Sequence, residues 1–168
     1  MPVINRLADF MADMTAWRRD LHAHPETAFE ERRTAGIVAR LLESFGIAIE
    51  RDIARTGVIG TLTGSRPGSR PGGRAIALRA DMDALPVTEQ VDLPFASKVT
   101  TQYNGESVGV MHACGHDAHT AILMGVAEDL AAMRAQLPGE VMLIFQPAEE
   151  GAPKGESGGA RRLLAEGL

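Results

Sequence analysis

Apolar side chains at Ile4, Leu7, Phe10, Met11, Met14 and Trp17 recur at three- and four-residue steps, which predicts an amphipathic helix from Ile4 to about His22. The His24–Pro25 pair ends it, because the residue before a proline is pushed out of helical conformation. A second such pattern runs from Phe29 to Phe45, turns Ile37, Val38, Leu41 and Leu42 inward, and stops at Gly46 in the C-cap position. The period then changes to two. Ile47 to Ile53 alternates apolar with polar, Val58 to Leu62 is short and β-branched, and Ala75 to Ala80 is nearly continuous apolar, so all three read as strands. Between the last two, Gly64 to Gly73 repeats Ser-Arg-Pro-Gly and can carry no regular element; it reads as a flexible, hairpin-type connection. From the turn at Asp81-Met82-Asp83 to Gly109 periodic signals are few. After Cys114 a helix is predicted, capped by Asp117 or Thr120, with Ile122, Leu123, Val126, Leu130 and Met133 as its core face. Pro138–Gly139 breaks it, Val141 to Phe145 reads as a buried strand, and Gly158 to Glu166 starts a further helix. This succession implies an α/β fold, a sheet covered by helices.

At 168 residues and 45% hydrophobic composition, the chain has the size of one domain able to bury roughly 70% of its unfolded surface. A net charge of −5 with scattered basic residues argues against a nucleic-acid partner. No stretch approaches the ~18 consecutive apolar residues of a membrane span, and the first ten residues lack the apolar core of a secretory signal. The expectation is a cytoplasmic protein without a membrane partner. A single cysteine, Cys114, cannot form an internal disulfide, which suits a reducing compartment.

Chemistry concentrates between Met111 and Thr120, where His112, Cys114, His116 and His119 fall within eight residues. Imidazole and thiolate are the best protein ligands for a borderline-soft divalent cation, so the segment points to a metal site. Cys114 and His116, two residues apart, can face one ion, yet no second Cys or His pair closes the tetrahedron of a structural zinc finger. An open, hydrolytic site fits better. Glu149 and Glu150 follow an apolar strand and suit such a site, one as metal ligand and its neighbour as general base; on this reading Glu149 is the base and Glu150 the ligand. Asp81 and Asp83 also follow a strand, and ligands gather at the carboxyl ends of strands in open α/β sheets. Each feature alone has a plainer reading: Asp83 as a turn residue, the glutamates as solvated surface, Cys114 as a buried inert thiol, and His112 and His119 as capping or outer groups.

Four segments together resemble a known family: His22–Glu26 (His-Ala-His-Pro-Glu), Leu78–Pro86 (Leu-Arg-Ala-Asp-Met-Asp-Ala-Leu-Pro), Gly109–Thr120, and Phe145–Gly151 (Phe-Gln-Pro-Ala-Glu-Glu-Gly). They look like the successive signature blocks of the hippurate hydrolase and N-acyl-amino-acid amidohydrolase group, among the dinuclear aminoacylase and carboxypeptidase-like metallopeptidases. The resemblance implies a zinc-peptidase-like catalytic domain, of which residues 1–168 form the N-terminal part. It implies Cys114, His116 and Glu150 as metal ligands, Glu149 as general base, and Asp83 as an orienting group. Two divalent ions per complete site are implied, zinc or manganese, with cobalt or nickel as alternatives. The implied substrate is a small N-acyl amino acid. The family pattern continues past Leu168 with two further ligand histidines and a lid domain used for homodimerisation. All five histidines here precede residue 120, so none can replace those ligands. The chain then reads either as part of a longer hydrolase or as a truncated, catalytically inactive metal-binding remnant. A third reading, a Cys-His thiol enzyme, lacks a base poised against Cys114.

Overall fold

The computed structural model describes residues 8–67 and 72–168. Helix α1 spans Met11–Ala23 and α2 spans Arg32–Ser44; strands β1 (Ala48–Ile53), β2 (Gly57–Thr63) and β3 (Ala75–Asp81) follow. A short pair, β4 (Thr100–Tyr103) and β5 (Glu106–Gly109), precedes α3 (His116–Ala132), a 3₁₀ turn at Arg134–Gln136, β6 (Glu140–Gln146) and α4 (Gly159–Ala165). The sequence expectations for these helices and for the four longer strands hold to within a few residues. The part of the first helical pattern at Ile4 and Leu7 lies outside the described residues.

The main sheet has the order β1-β2-β6-β3. β2 runs antiparallel to both β1 and β6, whereas β3 lies parallel to β6. This corrects the expectation that Gly64 to Gly73 closes a hairpin. β6 is inserted between β2 and β3, and the residues at the two ends of the connection meet the start of β6: Gly64 N–H donates to Gly139 O and Glu140 N–H to Arg74 O. A local pattern of glycine and proline reports a break in the chain, not which strand fills the gap.

The strand alternation sorts the core. Val58, Leu62, Val141, Leu143 and Phe145 turn to one face and pack against α1, α2 and α3 through Leu21, Val38, Leu42, Met124 and Ala127. Ile59 and Ile144, one position out of phase, turn to the other face and meet Leu163 of α4. Leu143 and Phe145 are fully buried in the central strand, where burial of such a side chain contributes roughly 1.5–3 kcal/mol. β3 is an edge strand with Ile76 exposed, and Ile122, expected on the core face of α3, faces solvent instead. The β4–β5 hairpin carried an unread signal: Asn104–Gly105 occupies the two-residue loop, both with positive φ (52° and 85°), as a type I′ turn requires.

Candidate metal centre

Because β3 and β6 are parallel neighbours with Asp81 in register with Gln146, both strands end at the same edge of the sheet. The loops that follow them, carrying Asp83 and Glu149–Glu150, therefore emerge side by side. α3 packs on β3 and brings its N-terminus to the same place. Neither Asp117 nor Thr120 caps that helix. The N-cap is Gly115 with φ 94°, a left-handed turn that glycine adopts without steric cost and that puts Cys114 and His116 on either side of it. Thr120 instead donates its hydroxyl to Asp81 O at 2.9 Å, fixing α3 to the end of β3.

The donor atoms of Cys114, His116 and Glu150 all lie within 4.8 Å of one another. His116 is buried, and its Nδ1–H donates to Asp83 O at 2.8 Å. That bond leaves Nε2 as the nitrogen free to take a ligand, and Nε2 looks at carboxylate oxygens of Asp81, Glu149 and Glu150, each at 3.8 Å. Asp83 holds two parts of the centre at once: its Oδ2 accepts Glu150 N–H at 2.9 Å while its other oxygen lies 3.4 Å from His116 Nδ1. Asp81 forms an ion pair with Arg79 through Oδ1, and its Oδ2 lies 3.6 Å from Nδ1 of the exposed His119. Asp81, His116 and His119 make a second group with metal-ligand spacing, sharing His116 with the first.

So many carboxylates around one imidazole shift its titration. Burial disfavours the His116 cation, but hydrogen bonds to Asp83 and the charges of Asp81 and Asp83 outweigh it and raise the pKa to about 9. For Asp83 burial likewise opposes charge, and the bonds from His116 and from the Glu150 and Glu149 amides win, holding the carboxyl below its usual value. The hydrogen bond to Glu150, burial, and the charges of Glu150, Glu149 and Asp81 push the Cys114 thiol up, the opposite of what a nucleophilic thiolate needs. Buried Glu150 Oε1 has no hydrogen-bond partner among the described residues. A sulfur, a nitrogen and an unpartnered oxygen donor facing one point in a field of negative charge fit a divalent cation.

Further residues surround the centre, some of them, such as Glu31 and Glu89, not singled out by the sequence. His22 is buried between Asp117 Oδ2 (2.8 Å) and Glu89 Oε1 (3.1 Å), and Arg18 Nε also reaches Asp117 Oδ2 at 2.7 Å. Phe95 meets the His22 ring edge-on. This network pins the first turn of α3 to α1, and Asp117 belongs to it. His112 is buried beside it with neither ring nitrogen hydrogen-bonded among the described residues, and burial drives its pKa down to about 4. Glu31, wholly buried, accepts the Thr56 hydroxyl at 2.5 Å and Ala148 N–H at 2.9 Å. Glu31 and Glu89 carry no motif or periodicity that marks them in the chain. An open cleft of about 950 Å³ borders Glu150, between the Pro25–Glu30 segment, the Ala84–Val87 segment and β4.

The pattern of Peptidase family M20/M25/M40 matches residues 77–168. The chain belongs to this family. An N-acyl-L-amino acid amidohydrolase of Geobacillus stearothermophilus is 44% identical over 98% of the chain and 40% of the relative. N-acetylcysteine deacetylase of Bacillus subtilis is 48% identical over 90% of the chain and 35% of the relative. Among solved structures, the Bacillus subtilis YXEP protein, described as a dinuclear metal binding peptidase from the M20 family, superposes with a TM-score of 0.79 at 45% identity, over 95% of this chain and 40% of its own. The chain thus spans about 40% of the length of these M20 relatives. Among the described residues, no helix is long and apolar enough to cross a membrane.

Proposed function

We propose that the protein hydrolyses the amide bond of N-acyl amino acids, with residues 1–168 as the first part of a metallopeptidase-like catalytic domain. The observation that carries this reading is the meeting of the Cys114, His116 and Glu150 donor atoms within 4.8 Å, with Glu149 alongside. The amidohydrolase and deacetylase relatives share that reaction class and support it. In this reading Cys114, His116 and Glu150 hold the metal and Asp83 orients His116. Divalent ions, zinc or manganese with cobalt or nickel as substitutes, would supply Lewis acidity there for activating the scissile carbonyl and water. Glu149 takes a proton from the attacking water as the new carbon–oxygen bond forms, then returns it to the leaving nitrogen as the carbon–nitrogen bond breaks. The cleft beside Glu150, walled by Leu85, Val87, Val99 and Val110 with Glu26, Glu30 and Lys154 also on its lining, offers the substrate both apolar and charged surface. The exposed, unpaired Cys114 thiol suits a reducing cytoplasm.

A second reading is a metal-binding protein without turnover. It is favoured by the sharing of His116: both metal-spaced groups among the described residues draw on the same imidazole, and its one available nitrogen binds one ion. Hydrolysis of hippurate or an N-acetyl amino acid, assayed with added zinc or manganese, separates the two. Chelator-sensitive turnover that disappears in Glu149→Gln supports the hydrolase. Metal binding without any turnover, by this chain and by the longest natural form of the protein alike, overturns it.

A further inference from the structure

Glu31 is a fully buried carboxylate that the proposed chemistry leaves unused. It sits at the N-terminal boundary of α2, yet its side chain makes no capping bond to that helix. Both oxygens turn away from α2 instead. Oε2 accepts the hydroxyl of Thr56, just before β2, and Oε1 accepts the backbone N–H of Ala148. Ala148 is a non-glycine residue in left-handed conformation, φ 48°, and is itself buried. Its carbonyl is engaged as well, accepting Gly159 N–H at 3.0 Å. A left-handed alanine is sterically disfavoured and persists only where neighbours enforce it.

Ala148 immediately precedes Glu149. On the other side of Glu149, the backbone N–H of Glu150 is accepted by Asp83. The backbone amides flanking Glu149 are thus each held by a buried carboxylate, one from the start of α2 and one from the loop after β3. We infer that Glu31 is a positioning residue for the Glu149–Glu150 pair, acting with Asp83 as a two-sided clamp on the backbone that carries it. Thr56 completes the device by holding the second oxygen of Glu31, which keeps the first aimed at Ala148. The inference rests on the reading of Glu149 and Glu150 as base and ligand. A bidentate demand of this kind explains why a carboxylate is buried here without a cation: among the described residues no ion pair or metal-spaced group includes Glu31, and its partners are hydroxyl and amide donors.

The test uses cobalt(II), whose thiolate charge-transfer band reports Cys114 and whose visible d–d bands report the number of ligands. Glu31→Gln keeps an oxygen for Ala148 N–H and is expected to bind cobalt within about threefold of the parent, with the same spectrum. Glu31→Leu removes the acceptor and is expected to lower affinity roughly 10- to 100-fold, as loss of groups supporting a metal ligand does. Its thiolate band should persist while the d–d bands change, because Cys114 stays and Glu150 is displaced. Glu31→Asp, one methylene shorter, withdraws the acceptor but keeps a buried carboxyl, and should follow the leucine variant. Equal affinity and spectra in all three variants overturn the inference, as does an equal loss in Glu31→Gln. Failure of both the leucine and aspartate variants to fold, seen by circular dichroism, also refutes a local role. Absence of a thiolate band in the unmodified protein would instead sink the metal centre itself, which keeps the two failures distinct.

Discussion

Metal loading should expel protons, and the structure says how many. With no ion bound, the carboxylates around His116 hold its pKa near 9, so at pH 7 roughly one ring in a hundred carries a free Nε2 lone pair. Binding at pH 7 is therefore about 100-fold weaker than it is above pH 9 on this account alone, a difference of roughly 2.7 kcal/mol at 1.36 kcal/mol per pH unit. The Cys114 thiol, pushed up by Glu150 and its neighbours, is also protonated at pH 7 and must lose its proton to ligate. The two groups together predict release of about two protons per ion near pH 7, so the logarithm of the association constant should climb by about two per pH unit between pH 6.5 and 8. Competition against a chromophoric chelator at several pH values gives the slope. Calorimetry in two buffers of different ionisation enthalpy gives the proton count independently. Cys114→Ser should reduce the slope to about one. A slope below one in the unmodified protein, or a proton count near zero, would refute the geometry, because it would mean that the ion does not displace the proton on His116.

The metal-free protein should be most stable near pH 6.5. His116, with its pKa raised to about 9, contributes stability that is complete below the unfolded value of about 6.5 and is lost as pH rises through 9; His112, lowered to about 4, costs stability as pH falls from 6.5 toward 4, each by an amount of order 3 kcal/mol. Urea midpoints measured across pH 4 to 9 with chelator present would show this dome, and a flat profile would contradict it. Glu149→Gln should keep bound metal while turnover of an N-acetyl amino acid falls by roughly 10²- to 10⁴-fold, whereas Glu150→Gln should lose the metal; equal metal loss in both would reverse the two assignments. Asp117→Ala leaves His22 and Arg18 without their shared carboxylate beneath α3, and thermal or urea unfolding should report a loss of about 3–5 kcal/mol. A loss under 1 kcal/mol would show that the network is not holding the helix start.

The chain's own pattern determined a good deal. Period-3.6 runs marked the spans of α1, α2 and α3, and the alternation around Val58–Leu62 and Val141–Phe145 marked strands, because side-chain facing in a helix or strand is a local property. Cys114-x-His116 and Glu149-Glu150 were also legible, since each half of the candidate centre is a short contiguous segment of unusual chemistry. The bringing together of those halves was decided only in three dimensions. It depends on β3 lying parallel to β6, which itself lies between β2 and β3, an order that strand sequences far apart in the chain do not encode in any local period. Glu31 and Glu89 were invisible for the same reason. Glu89 is a lone acidic residue and Glu31 the second of a Glu30–Glu31 pair followed by two arginines, and their partners, Ala148 for Glu31 and His22 for Glu89, lie 117 and 67 positions away. A buried charge is recognisable only through the groups that compensate it, and those groups become neighbours only when the chain has folded.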